Sequence, residues 1–418
     1  MPLIAVLTIV AGLLAAISMM FPAEAATTQN KSLNTLVSEF DRYFVKKMRE
    51  HKVPGAAYVI VHGDQIVKIR PYGVRKQKSA AKVNAHTTFR LASVSKTFAA
   101  SLATIEEQRG TFNWQDPVML YVPELDFADQ SHKQHLKVEH LLSHTAGVVP
   151  NAYDNLIEAN RKLPKILPQF KKLQPMCKPG KCYAYQNVLY SMIEQVIEHG
   201  HEISYEALMQ QSIFDPLGMG DASVGLDAFM SNPNHATGHL KLKRGWYPKS
   251  PKQAYYNYPA AAGVNASASD MGQWLMAQLG HFPEVIAPSV VKTMTTARAG
   301  TRKDLRRKQW RKYLSKAEYG LGWRLYQFND EPLVYHGGWV AGYRADVAYS
   351  PERQIGIAVL LNAESHAINF VSTHFWKMVT QQSRVAMTIE RHANRERPDP
   401  VSALIPHNMA QPHDSANF

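Results

Sequence analysis

Ser93 and Lys96 stand three residues apart where an extended run, Thr87-Thr88-Phe89, gives way to an Ala- and Leu-rich segment that ends at Gly110. Val94, Phe98, Leu102 and Ile105 recur at helical spacing, which predicts a helix beginning at or next to Ser93. Ser93 then lies at the positive end of the helix dipole, beside unpaired backbone N–H groups, with Lys96 one turn later on the same face. A serine hydroxyl becomes a useful nucleophile when a neighbouring base takes its proton, and a desolvated lysine amine is such a base. The same spacing occurs at Ser79 and Lys82, in a polar basic loop, and at Ser289 and Lys292, in an amphipathic segment after Pro288. Only Ser93 sits at a junction of an extended run and an apolar helix. The competing structural reading makes it a plain N-cap serine.

Two further groups are chemically suggestive. Tyr185 and Asn187, in Tyr183-Ala184-Tyr185-Gln186-Asn187, precede a predicted helix over Val188 to Glu198. From one loop they would project a phenol and an amide into a cleft, and cationic neighbours would lower the tyrosine pKa toward general-base use. The structural alternative is a surface or capping pair. Tyr335-His336-Gly337-Gly338-Trp339 closes a predicted strand, and glycines in a strand often mark close approach by a ligand or another backbone. His336 could donate a proton or bond a substrate carboxylate. The alternative there is a simple turn at the glycines. His140 and His144 share helical spacing, but no Glu accompanies them as in a zinc protease helix.

The elements that must position these residues follow from periodicity. Ser32 to Glu50 reads as an amphipathic helix, and Gly55 to Val61 with Ile66 to Ile69 as a β-hairpin. A helix-rich middle is predicted from about residue 93 to 290. From Trp323 strands return at Leu333 to His336, Ala345 to Tyr349 and Ile355 to Leu361, before a final helix from Ala367 to about Thr380. The expected fold is α/β of the α+β kind. N- and C-terminal strands form one antiparallel sheet flanked by helices, a mainly helical lobe is inserted, and the site lies between the two.

Composition bounds the rest. The 418 residues are 45% hydrophobic and 19% charged, as in a globular protein rather than a disordered one. Leu3 to Phe21 is uncharged and precedes an Ala-x-Ala site at Ala23 and Ala25, so residues 1–25 read as a signal peptide, with an uncleaved anchor as the alternative. The predicted main domain is 26–385 and the polar, Pro-containing tail 386–418. Export implies a periplasmic or secreted protein. Cys177 and Cys182 bracket Lys178-Pro179-Gly180-Lys181, a turn that brings them close enough for a local disulfide in an oxidising compartment. The net charge of +13 concentrates in residues 302–312. For an exported chain that segment fits anionic lipid or cell-wall polymer better than nucleic acid, and its structural alternative is a solvated helix or loop.

Taken together and in order, Ser93-x-x-Lys96, Tyr185-x-Asn187 and His336-x-Gly338 resemble the three-motif signature of the serine β-lactamase and penicillin-binding-protein superfamily. The Tyr-x-Asn motif resembles the class C branch with its D,D-peptidase and esterase relatives. His140-Leu141-Leu142-Ser143-His144-Thr145-Ala146-Gly147, Pro216-Leu217-Gly218-Met219 and Tyr319-Gly320-Leu321-Gly322-Trp323 are also similar to family segments. The resemblance makes 26–385 a β-lactamase-like serine hydrolase domain. It implies that Ser93 attacks an amide or ester carbonyl, with Lys96 and Tyr185 sharing its proton. Backbone N–H groups of Ser93 and Trp339 would hold the oxyanion, Asn187 would bond Lys96 and the substrate amide, and no metal or cofactor would be needed. His336 departs from the Lys-Thr-Gly of class C enzymes and looks more like certain D,D-carboxypeptidases and D-amino-acid peptidases, so carboxylate recognition is expected to be weaker or pH-dependent. The activities implied are hydrolysis of β-lactams or D-Ala-type peptides, alternatively of carboxylic esters. A catalytically silent protein that binds cell wall or membrane is the reading from another class.

Overall fold

The computed structural model describes residues 33–395, with side chains through 381. The expected leader and most of the expected tail lie outside the described residues. An antiparallel eight-stranded sheet organises the fold. Its strands run in the order Gln65–Gly73, Gly55–His62, Ile355–Leu361, Tyr343–Ser350, Glu331–Val340, Arg324–Phe328, Leu314–Tyr319 and Ala299–Gly300. The two ends of the chain meet inside it, with Ala57 opposite Leu360. Gly55–His62 reads as an unbroken apolar run because it is central and covered on both sides: Ala57, Val59 and Val61 enter one core, and Ala56, Tyr58 and Ile60 the other.

The helix over 33–50 and the C-terminal helix cover the second of those faces. Leu36, Phe40, Phe44 and Met48 fall at helical spacing and are all buried. Phe40 packs edge-on against Tyr58 and Phe375, and the Tyr58 hydroxyl donates to Asp41 at 2.9 Å. The opposite face carries the helix Ser95–Gln108 and the helix Ala268–Gln278, locked by Phe98 stacked on Trp274 with ring centroids 3.8 Å apart.

Several elements differ from the sequence expectation. The C-terminal strands of the sheet begin at Ala299 rather than after Trp323, because Ala299–Gly300 and Leu314–Tyr319 are a short edge and a polar, Lys-bearing strand with little apolar alternation to betray them. Glu331–Val340 is longer than expected, since Pro332 and the glycines at 337 and 338 mask its β character. The inserted lobe is mainly helical, as expected, with two small sheets among its helices. It holds a three-stranded sheet of Phe89–Arg90, Val264–Ala266 and Ser223–Val224, and a hairpin of Gly238–Leu242 with Gly245–Lys249. The final helix runs from Ala367 to Arg395, through its expected end at Thr380 and into the expected tail.

Candidate active site

Ser93 lies in a 3-10 turn, Ala92–Val94, directly upstream of the helix Ser95–Gln108. The helix N-cap is Val94 and no side chain caps it, so the plain-cap reading of Ser93 is removed. Ala92 is fully buried with φ at +51°, a left-handed conformation that is costly for a residue with a Cβ. That torsion turns the chain sharply out of Phe89–Arg90 and presents the next residue, Ser93, to the cleft. The strand Glu331–Val340 presses against this turn. A Cβ on Gly338 would stand 2.1 Å from the Leu91 carbonyl oxygen, so only glycine lets the two backbones meet.

Lys96 is fully buried. Its Nζ lies 3.4 Å from Ser93 Oγ, 2.8 Å from Asn187 Oδ1 and 2.9 Å from the Ala261 carbonyl oxygen. A neutral amine has two N–H bonds and one lone pair. Asn187 and Ala261 are both acceptors and take the two N–H bonds, which leaves the lone pair for the Ser93 proton. Burial lowers the Lys96 pKa to about 7, opposed by the Asp154 carboxylate and assisted by Arg324. Asn187 turns its amide nitrogen to Asp154, donating to Oδ2 at 2.8 Å. Burial pushes that carboxyl up to about 6.

Tyr185 lines the cleft with Ser93, whose hydroxyl acts to lower the phenol pKa. The Tyr185 ring packs on His144 at 4.1 Å between centroids and lies 4.9 Å from Lys96 Nζ. The expected lowering of its pKa is not found. Burial outweighs the Ser93 hydroxyl and the Arg324 charge and pushes the phenol up to about 12. Tyr185 is therefore neutral at ordinary pH, and Lys96, with its lowered pKa, is the group able to accept a proton.

The expectation for His336 is corrected. The His336 ring is fully buried behind the cleft wall, its Nε2 3.0 Å from the Tyr319 hydroxyl. Burial, Arg324 and Lys96 hold its pKa well below the usual histidine value, so it is a neutral packing group rather than a partly charged clamp. The rings of His140 and His144 hold backbone groups. His140 Nδ1 accepts the Lys137 N–H, and His144 Nδ1 accepts the Gln186 N–H.

The positive charge at the cleft comes from arginines that sequence reasoning missed as site residues. A cleft of about 440 Å³ opens over Ser93 and Tyr185 and is lined by Arg307, Arg324 and Arg344 together with Asp154, Asp304 and Asp346. Arg324 pairs with Asp304, and its guanidinium carbon lies 5.6 Å from the Tyr185 ring centroid. Arg307 donates to the hydroxyls of Tyr326 and Tyr335, and Tyr335 donates to Asp346. Part of the basic 302–312 segment is thus cleft wall. Arg307 lines the site and Trp310 is buried, while Arg302, Lys303, Arg306, Lys308, Arg311 and Lys312 remain exposed. Trp339 stands at the rim, 60% exposed, with its indole N–H on Glu364 and its ring over Arg344. The expected disulfide between Cys177 and Cys182 is present.

A Ser/Lys/Tyr cluster at the seam of an antiparallel sheet and a helical lobe is the arrangement of the β-lactamase fold, whose family is one of serine hydrolases. The chain belongs to the Beta-lactamase family, whose signature matches residues 40–370. Among curated relatives it is 22% identical to Protein flp of Staphylococcus aureus over 84% of this chain and 68% of that one. It is 23% identical to the unguisins hydrolase ungD of Aspergillus violaceofuscus over 81% of this chain and 63% of that one. Among solved structures, the octameric penicillin-binding protein homologue from Pyrococcus abyssi is similar at a TM-score of 0.73 and 23% identity, over 82% of this chain and 77% of that one. A mutant class C β-lactamase is similar at a TM-score of 0.67 and 18% identity, over 83% of this chain and 97% of that one. These likenesses establish the fold.

Proposed function

We propose that the protein is an exported serine hydrolase that forms an acyl-enzyme on Ser93 and cleaves amide bonds of β-lactams or D-Ala-type peptides. The observation behind this reading is the Lys96 amine, sealed from water, with both N–H bonds engaged and its lone pair left for Ser93 Oγ 3.4 Å away. Lys96 takes the hydroxyl proton as the Ser93 oxygen bonds the carbonyl carbon. The backbone N–H groups of Ser93 and Trp339 receive the negative charge on the carbonyl oxygen. Collapse of the tetrahedral adduct breaks the C–N bond, and the Lys96 ammonium returns its proton through the Tyr185 hydroxyl to the leaving amine. Water then repeats the sequence on the ester, giving acid and free Ser93.

Arg324, Arg307 and Arg344 favour a substrate with a carboxylate near the scissile bond, the role first expected of His336. The disulfide supports an oxidising compartment and hence export. The exposed cations of 302–312 suit an anionic envelope surface. Incubation with a fluorescent penicillin followed by peptide mapping tests the nucleophile, and parallel rates on nitrocefin, a D-Ala-D-Ala peptide and a p-nitrophenyl ester test the substrate class. Label on Ser93 with turnover of the first two is expected. Ester turnover alone would make the protein a carboxylesterase, and no label with no turnover on any of them would leave the silent binding reading.

A further inference from the structure

A second cleft, of about 470 Å³, adjoins the first, and Tyr255 and Trp339 line both. Arg90 lies in its wall, three residues before Ser93. This arginine is 3% exposed, and its Nε and Nη2 have no hydrogen-bond partner. It is held by ring faces instead. Its guanidinium carbon lies 4.0 Å from the Tyr256 ring centroid and 5.9 Å from that of Tyr343. Neither phenol turns to it, since Tyr256 donates to Asn265 Oδ1 and Tyr343 to the Ala236 carbonyl oxygen. A buried guanidinium packed by its faces, with its Nε–Nη2 edge unmatched, is a costly arrangement that an entering acceptor would relieve.

The charges around this cleft decide which acceptor. Lys249 and Lys252 line it with Arg90, against Glu158 and Glu364. Glu364 is already committed to the Trp339 indole and the Gly342 backbone N–H. The balance is positive, and planar guanidinium recognition suits a carboxylate. The arginines of the first cleft are proposed to take the carboxylate near the scissile bond. In a D-Ala-D-Ala peptide that carboxylate belongs to the leaving D-Ala, so the adjoining cleft falls to the acyl side. Resting on the hydrolase reading above, we propose that this cleft is an acyl-side subsite in which Arg90 receives a carboxylate borne by the acyl group, so that preferred substrates are anionic on both sides of the scissile bond.

Binding to the Ser93→Ala protein, which cannot turn over, tests this without depending on hydrolysis. The probes are N-adipyl-D-alaninamide and its twin, in which the free adipyl carboxylate is a carboxamide, each titrated by calorimetry. A charge-assisted pair predicts about tenfold tighter binding of the carboxylate probe. The ratio should fall to near one with Arg90→Gln added and stay partly intact with Arg90→Lys. Equal affinities for the two probes, no binding of either, or a preference that survives Arg90→Gln overturns the subsite. Should Arg90→Gln not fold, a crystal structure of the Ser93→Ala complex decides: an adipyl carboxylate out of hydrogen-bond reach of Arg90 overturns it. Loss of the hydrolase reading would show separately, as absent Ser93 labelling in the native enzyme.

Discussion

Gly338 and Leu91 touch through their backbones: a methyl group on the glycine would sit 2.1 Å from the leucine carbonyl oxygen. This contact sets the gap between the strand Glu331–Val340 and the turn bearing Ser93, and so the spacing of the two N–H groups proposed to receive the oxyanion. Gly338→Ala must push them apart. A fall of about 100-fold in kcat/KM is expected, the scale seen when one oxyanion donor is lost. Penicillin labelling should slow in parallel, and near-normal rates in a folded variant would show that the gap does not matter.

Lys96 makes the pH profile a test of the base. With its pKa lowered to about 7, the free amine grows as pH rises through that value, so kcat/KM should climb along a limb centred there. The stability consequence has a definite sign. The unfolded chain holds this proton up to its ordinary 10.5 while the folded chain releases it near 7, so between those limits the unfolded state binds more protons. Lys96 therefore makes the fold more stable with rising pH across that window, by up to about 1.4 kcal/mol per unit, and contributes no slope below it. Urea melts of native protein and of Lys96→Met should differ in slope there, and parallel curves would contradict the buried amine.

Asp154 tunes that base through Asn187. Its carboxylate favours the Lys96 ammonium, so Asp154→Asn should move the ascending limb of the pH profile to lower pH. The pH dependence of kcat/KM for the variant reads this directly. A limb that moves upward would mean that the two groups are not coupled as their geometry indicates.

His336 should be silent in the same experiment. Being neutral and bonded to Tyr319, it has no charge to lose near pH 7. His336→Gln should leave the limb where it was while costing about 1 kcal/mol of stability for the impaired buried hydrogen bond. A shifted limb would restore the histidine as a titrating clamp.

The disulfide braces Tyr185 from a distance. Met176, Gly180 and Ala184 donate backbone N–H bonds to Gly147, Thr145 and His144, so the loop closed by Cys177 and Cys182 is tied to the segment whose His144 ring supports Tyr185. Replacing both cysteines by serine should lower stability by about 2 kcal/mol, the loop-entropy value for so short a ring. Turnover should slow without displacement of the pH limb, as a chemical melt and a rate profile on the same variant would show.

The sequence displayed the site's bond-making core better than its electrostatics. Ser93 with Lys96 and Tyr185 with Asn187 are each a short local spacing, and it was their order along the chain, resembling a family signature, that joined the two pairs into one site. Arg324 and Asp304 meet only because a sheet edge folds back on the turn before it, and Asp154 reaches Asn187 across the lobe. No local spacing announces such pairs. The pKa directions of Tyr185 and His336 were misread for a related reason: both depend on burial, which the chain acquires only when sheet and lobe close together. Long apolar strands and helices were legible, whereas two-residue strands such as Ser223–Val224 are too short to show a period.

Among the described residues Lys96 is the one lysine in the interior, roofed by the rings of Tyr185 and Tyr190. Amine-directed reagents would therefore modify the surface lysines and spare it. More importantly, its amine meets the cleft only through the groups it touches, the Ser93 hydroxyl and the Asn187 amide among them. In the mechanism proposed above, the hydrogen taken from the nucleophile would then be kept for the departing amine rather than exchanged with the medium.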